Sequence, residues 1–180
     1  MKLQTHLIIA KIASEYAGLT FLEQSAFCIG SLLPDLSPMQ FIHQHFYSKS
    51  NKYVMRKMKK ISGKNSLMAW VTYGKMAHYL SDFCCSVHSG NGIGNIREHI
   101  IYEKELNYFA IEKYNMLKDE CKNMEKYRNL TSILNDYHHS KKYDFYTDLY
   151  FAIQACISIC QKALCVEYIP DIIQKINLAS

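Results

Sequence analysis

Proline and glycine are scarce in this sequence, three and seven among 180 residues. So few breakers leave long stretches free to be helical. No segment alternates apolar and polar residues as a half-buried strand would, which sets β-sandwiches and barrels aside. Also missing is a long hydrophobic run. The most apolar stretch, 149–161, carries no charge but stops well short of the ~20 residues that span a bilayer, so no transmembrane helix is expected. The N-terminal MKLQTHLIIAKIASEYAG has only a short apolar core, flanked by His6 and Lys11, and no clean small-x-small cleavage site. It does not read as a signal peptide, and the expected location is cytoplasmic. The seven cysteines are odd in number and include no Cys-x-x-Cys. That excludes a disulfide framework and a cysteine zinc finger, and fits a reducing compartment. Cys84, Cys85, Cys156, Cys160 and Cys165 lie among apolar residues and read as small buried hydrophobes, whereas Cys28 and Cys121 carry no such signal. With 49% hydrophobic residues the chain is not disordered, and residues 1–180 are expected to form one domain with a sizeable core.

What the sequence does have is histidine and carboxylate at helical spacing. In GKMAHYLSDFCCSVHSGNGIGNIREHIIYE, His78 and Asp82 are four apart, and so are His99 and Glu103. On a helix that spacing stacks two side chains on one face, ~6 Å apart along the axis, so such a pair can grip one metal ion. His88 stands between the pairs, before the turn-forming SGNGIGN. Taken singly, each pair is as well explained by surface residues or a core histidine. The ordered set points to half of a multi-metal site.

The surrounding pattern is helical. A first helix over 5–17 has Leu7, Ile8, Ile12 and Tyr16 near helical spacing and His6 in its first turn. A second, over 20–32, is expected to stop before Pro34, with Asp35 between Pro34 and Pro38 in an extended segment. There an aspartate serves either as a turn residue or as a ligand on a stiff loop. In FIHQHF, His43 and His45 would point to opposite sides of an extended chain, so one of them would face a shared site. From Lys49 to Lys64 there are seven basic residues and no acidic one. The stretch reads as a solvated basic surface, or as a patch for phosphate-bearing ligands, an anionic membrane or nucleic acid. One long buried helix is expected over 65–87, capped by Asn65 or Ser66. Gly74 in its middle costs ~1 kcal/mol relative to alanine and leaves room for another backbone or a metal cluster. A second long helix is expected over 95–127, His138 and His139 in a solvent-facing connection, an apolar central helix over 144–167, and a short last helix starting after Pro170. The fold class is all-α.

In order, the donors are His6, Asp35, His43 or His45, His78, Asp82, His88, His99 and Glu103. With the early TH, GSLLPDL, the G-x-x-x-H-Y-L-x-D run, the histidine six residues later and H-x-x-x-E, the sequence resembles the zinc-dependent phospholipase C family. That family is itself similar in fold and metal site to fungal single-strand-specific nucleases. The motifs cover roughly residues 1–103. The resemblance implies a compact single-domain helical bundle with up to three zinc ions in a cleft. It assigns Asp35, one FIHQHF histidine, His78 and Asp82 to a first zinc, and His88, His99 and Glu103 to a second. His6, a bridging Asp82 and the amine and carbonyl of Met1 would hold a third. Of the two histidines it favours His45, because the family's loop from Asp35 is usually longer than the eight residues that reach His43. Secreted members present a tryptophan where this chain has Met1, and Lys2 is expected to keep the methionine in place.

The implied activity is phosphoester hydrolysis, with in-line attack on phosphorus by a zinc-activated water and Asp35 as proton acceptor. Imidazole and carboxylate suit zinc without thiolates, and paired ions can clamp both the attacking and the leaving oxygen. The substrate expected is a phosphoester, phospholipid among the candidates. The alternatives are a nuclease or nucleotidase using the same zinc cluster, or a metal-binding protein without turnover.

Overall fold

The computed structural model describes residues 1–36, 46–88, 95–142 and 144–177, with side chains up to residue 165. Among the described residues there are eight α-helices and no strand: α1 Leu3–Tyr16, α2 Phe21–Leu36, α3 Tyr47–Ile61, α4 Leu67–Phe83, α5 Ile96–Glu112, α6 Tyr114–Glu120, α7 Leu130–Ser140 and α8 Phe145–Asn177. The all-α expectation is met.

The core forms around α4, most of whose residues are buried, with Lys75 on its exposed side. Trp70, Leu80 and Phe83 have no exposed surface, and Tyr73, Met76 and Ala77 almost none. Helices α1, α2, α3 and α8 all pack on it. Ser66 is its cap, accepting from the amide of Ala69 at 3.2 Å. Asn65 instead accepts from the indole nitrogen of Trp70, which also donates to Glu23 at 3.2 Å and so ties α2 to α4. The hydroxyl of Tyr73 donates to the carbonyl of Ile61 at 2.6 Å, anchoring the end of α3. Gly74 lies against the backbone of α2: a Cβ there would sit 2.1 Å from the carbonyl oxygen of Phe27. The missing side chain does let another backbone approach.

Helix α1 buries Thr5, His6, Ile9, Ala10, Ile12, Ala13 and Ser14, while Leu7 is exposed. Of the expected face, Ile12 is buried and Ile8 and Tyr16 pack partly against the core, while Leu7 turns outward. His6 lies on the buried face, three and four residues before Ile9 and Ala10. Helix α2 continues through Pro34 to Leu36, so Asp35 is helical. A proline in the last turn removes one amide bond with no further helix to disrupt. The long helix expected over 95–127 breaks at Lys113, and both halves pack against α1. His138 and His139 lie on α7, not in a connection. His138 is half-buried, 4.6 Å from the Tyr47 ring and 5.5 Å from that of Tyr137, and burial pushes its imidazole down. Helix α8 runs on through Pro170 rather than restarting there. The five expected packing cysteines are borne out at Cys84, Cys85, Cys156 and Cys160; Cys165 is exposed, and Cys121 is buried in its stead.

All seven basic residues from Lys49 to Lys64 are exposed, on α3 and just beyond it, while Ser50, Val54 and Ile61 turn inward.

Candidate metal centre

Each donor is placed by an element whose other residues fix its direction. His78 and Asp82 lie one turn apart on α4, both with no exposed surface. The α4 C-terminus turns through Cys84 to His88, whose amide donates to the carbonyl of Cys85 at 2.8 Å. Helix α5 opens with a capping box in which Asn95 accepts from the amides of Arg97 and Glu98, and Glu98 accepts from the amide of Asn95 at 3.2 Å. That start sets His99 and Glu103 on one face.

Two donor groups result. His6, His78 and Asp82 offer ligand atoms within 4.8 Å of one another, and so do His88, His99 and Glu103. The His6 and His78 rings stack at 3.8 Å. In the second group Glu103 Oε1 lies 3.0 Å from His88 Nε2 and 3.2 Å from His99 Nε2. Asp82 stands between the groups. Its Oδ1 is 2.7 Å from the Met1 ammonium, 3.5 Å from His6 Nε2 and 4.0 Å from His88 Nε2, while Oδ2 is 3.5 Å from His78 Nε2. Asp35, half-buried at the end of α2, brings Oδ1 within 3.4 Å of His78 Nε2. The Met1 amine also reaches Glu103 Oε1 at 3.0 Å and His88 Nε2 at 3.4 Å. Of the residues selected from sequence, Met1, His6, Asp35, His78, Asp82, His88, His99 and Glu103 therefore converge. His43 and His45 lie outside the described residues.

The electrostatics favour cations. Although burial opposes a charge on the Met1 amine, Asp82 and Glu103 push it up to about 11. Burial also disfavours the Glu103 carboxylate, yet His88 and the Met1 ammonium hold it well below the usual range. The imidazoles of His6 and His99 are pushed down, in both cases chiefly by burial. Neutral imidazoles are the form that ligates metal.

A zinc-type ion fits these residues. Both ring nitrogens of His6 are buried without a well-formed hydrogen bond among the described residues, an arrangement costing ~1–3 kcal/mol per group unless a partner is supplied. His78 has the opposite arrangement. Its Nδ1 donates to the carbonyl of Ser31 at 2.9 Å, which fixes the ring and turns Nε2 toward Asp35 and Asp82. Nothing in the sequence marked the Ser31 carbonyl, since any residue type offers one. The other residue missed is Asp148, a fully buried acid at the start of α8. An acid at the head of an apolar run reads as an exposed first-turn residue, and only packing shows otherwise. A cavity of about 540 Å³ lined by Met55, Tyr73, Arg128 and Ile159 contains none of the donors, so convergence of ligands, not concavity, locates this centre.

A family model described as zinc dependent phospholipase C matches residues 5–153. No curated protein and no solved structure matches the chain.

Proposed function

We propose that this chain, which belongs to the zinc-dependent phospholipase C family, is a zinc-dependent phosphoester hydrolase acting on phosphodiesters of the phospholipid class. The observation that carries this reading is Asp82, whose two oxygens face separate imidazoles of a buried, cation-favouring cluster. Asp35, His78 and Asp82, with His45, would hold one ion; His88, His99 and Glu103 a second; His6, Asp82 and Met1 a third. Zinc in such a cluster supplies Lewis-acid chemistry, lowering the pKa of water toward neutrality and stabilising charge that builds on phosphate oxygens. The protein residues do the rest. The Ser31 carbonyl keeps His78 in one tautomer. The buried carboxylates offset the charge of the ions, as two unbalanced buried charges would cost several kcal/mol each. Of the two carboxylates that face His78, Asp35 is the one with solvent access, which suits it to take a proton and release it to water.

Elemental analysis of protein from zinc-supplied cells should find two or three zinc ions per chain. The same protein should cleave phosphatidylcholine and an aryl phosphodiester faster than single-stranded DNA. A trace of metal would sink the reading. Full zinc loading without cleavage of any of the three would leave a metal-binding protein, and preference for DNA would make it a nuclease. His45→Ala should lower zinc content while His43→Ala leaves it near normal; the reverse would move the ligand to His43.

The exposed cations of α3 are proposed to draw anionic substrate surfaces toward the protein. The triple change of Lys57, Lys59 and Lys60 to Glu should weaken binding to anionic vesicles at low salt, and much less at 0.1 M and above, where the Debye length falls to ~10 Å. Unchanged binding at low salt would reduce the patch to a solvated surface.

A further inference from the structure

Asp148 is a buried acid that no metal group uses. Each of its oxygens accepts two hydrogen bonds. Oδ2 accepts from the Ser86 amide and the Tyr102 hydroxyl, both at 2.8 Å. Oδ1 accepts from the Ser86 hydroxyl at 2.7 Å and the Tyr137 hydroxyl at 2.8 Å. Burial pushes the carboxyl up, and these donors hold it down. They come from three places: the turn after α4, helix α5 and helix α7.

We propose that Asp148 is a positioning residue for the His88, His99 and Glu103 group, an inference that rests on reading that group as a metal site. Ser86 stands two residues before His88, and Tyr102 immediately before Glu103. One carboxylate on α8 thereby clamps both halves of a group whose members meet at 3.0 Å. The clamp matters because α5 fully buries only Leu106 and Ala110, with Tyr102 and Phe109 half-buried against the core. So narrow an apolar face leaves the rotation of a helix only partly fixed by packing. Glu103 is itself a member of the group and meets His88 and the Met1 amine. Apart from it, the polar ties of α5 to the body among the described residues are the Tyr102 hydroxyl on Asp148 and Ser86, and Asn107, which accepts from the Thr5 hydroxyl at 3.0 Å. The Tyr102 ring also rests on Phe145 at 4.9 Å. A rotation of α5 would carry Glu103 and His99 away from His88 together.

Zinc affinity of the full chain, measured by competition against a chromophoric chelator, tests this. Removing a group that orients metal ligands typically costs ~10- to 100-fold in affinity. Tyr102→Phe, which cuts only the tie to α5, should weaken one ion by ~10-fold, and Asp148→Ala by ~100-fold or to loss of that ion. Asp148→Asn should restore most of the affinity. Its oxygen can accept from the Ser86 amide and Tyr102, and its nitrogen can donate to the two remaining hydroxyls. In a His99→Ala background, where that ion is already lost, Tyr102→Phe should change nothing further. Tyr102→Phe decides the matter if Asp148→Ala does not fold. A wild type that binds zinc and variants that bind it as tightly, with only a lowered melting temperature, would overturn the inference alone. A wild type that binds no zinc would overturn the metal reading and this inference with it.

Discussion

Asp82→Asn should leave the protein at least one zinc ion short and abolish detectable phosphoester hydrolysis. The substitution preserves shape, so α4 should still fold. What it removes is the negative charge on a side chain with no exposed surface, the one that faces His6, His78, His88 and the Met1 amine together. Removing one partner from a buried charged pair costs ~3–5 kcal/mol, which translates to ~10²- to 4 × 10³-fold in the affinity of whatever cation the cluster holds. Glu103→Gln makes the useful contrast. Glu103 meets His88, His99 and the Met1 amine but has no contact with the stacked His6 and His78, so it should affect the second group and spare the first. Zinc counted per chain after dialysis separates the two variants. A full zinc complement in Asp82→Asn would mean that Asp82 does not join the groups.

The i,i+4 pairs were legible because helix geometry alone decides which side chains share a face, and both pairs do lie on helices. The three-dimensional grouping was legible only through resemblance, since nothing in the spacing of His6 or Asp35 says that α1 and α2 end beside α4. His6 shows why. Periodicity suggests Leu7 alongside Ile8, Ile12 and Tyr16; Ile12 is buried as expected, but Leu7 is exposed and the buried face runs through Ile9, Ala10 and Ala13. When both sides of a short helix carry apolar residues, packing against α4 and α8 decides between them. The errors at Pro34 and Pro170 share one cause. Pro34 reads as a helix stop and Pro170 as a helix start, each a boundary by local rules, yet α2 and α8 remain helical through them. Sequence has no comparable marker for the break at Lys113, because no glycine or proline stands there. Asp148 was invisible for a third reason: its four donors are separated from it by 11 to 62 residues.

Gly74→Ala should be strongly damaging for so small a substitution. In an ordinary helix interior this change stabilises by ~1 kcal/mol. Here the added Cβ would sit 2.1 Å from the carbonyl oxygen of Phe27, 2.8 Å from the Cα of Gly30 and 2.9 Å from the amide of Ser31. All three are backbone atoms, so no rotamer change relieves the overlap and α2 must move away from α4. Overpacking of this kind costs ~1–3 kcal/mol and sometimes more. At the upper end that lowers the melting temperature of a chain this size by roughly 10 °C. The site should suffer before the fold does. The helices that must part carry the Ser31 carbonyl, 2.9 Å from His78 Nδ1, and Asp35, 3.4 Å from His78 Nε2, so zinc at the first group should weaken at temperatures where the protein is still folded. Gly30→Ala meets the carbonyl of Val71 at 2.2 Å and should do the same. The double variant should cost less than the sum, because both strain one contact. Gly18→Ala is the control. Its φ of +76° lies in the left-handed region with nothing within 4 Å of the added carbon, so it should cost only the ~1–2 kcal/mol of backbone strain and leave zinc content intact. Thermal melting of the zinc-free forms, with zinc titration of the folded ones, reads out both effects. Gly74→Ala as stable as wild type and binding zinc normally would show that α2 and α4 have slack at this crossing, and that the close approach does not set the geometry of the first metal group.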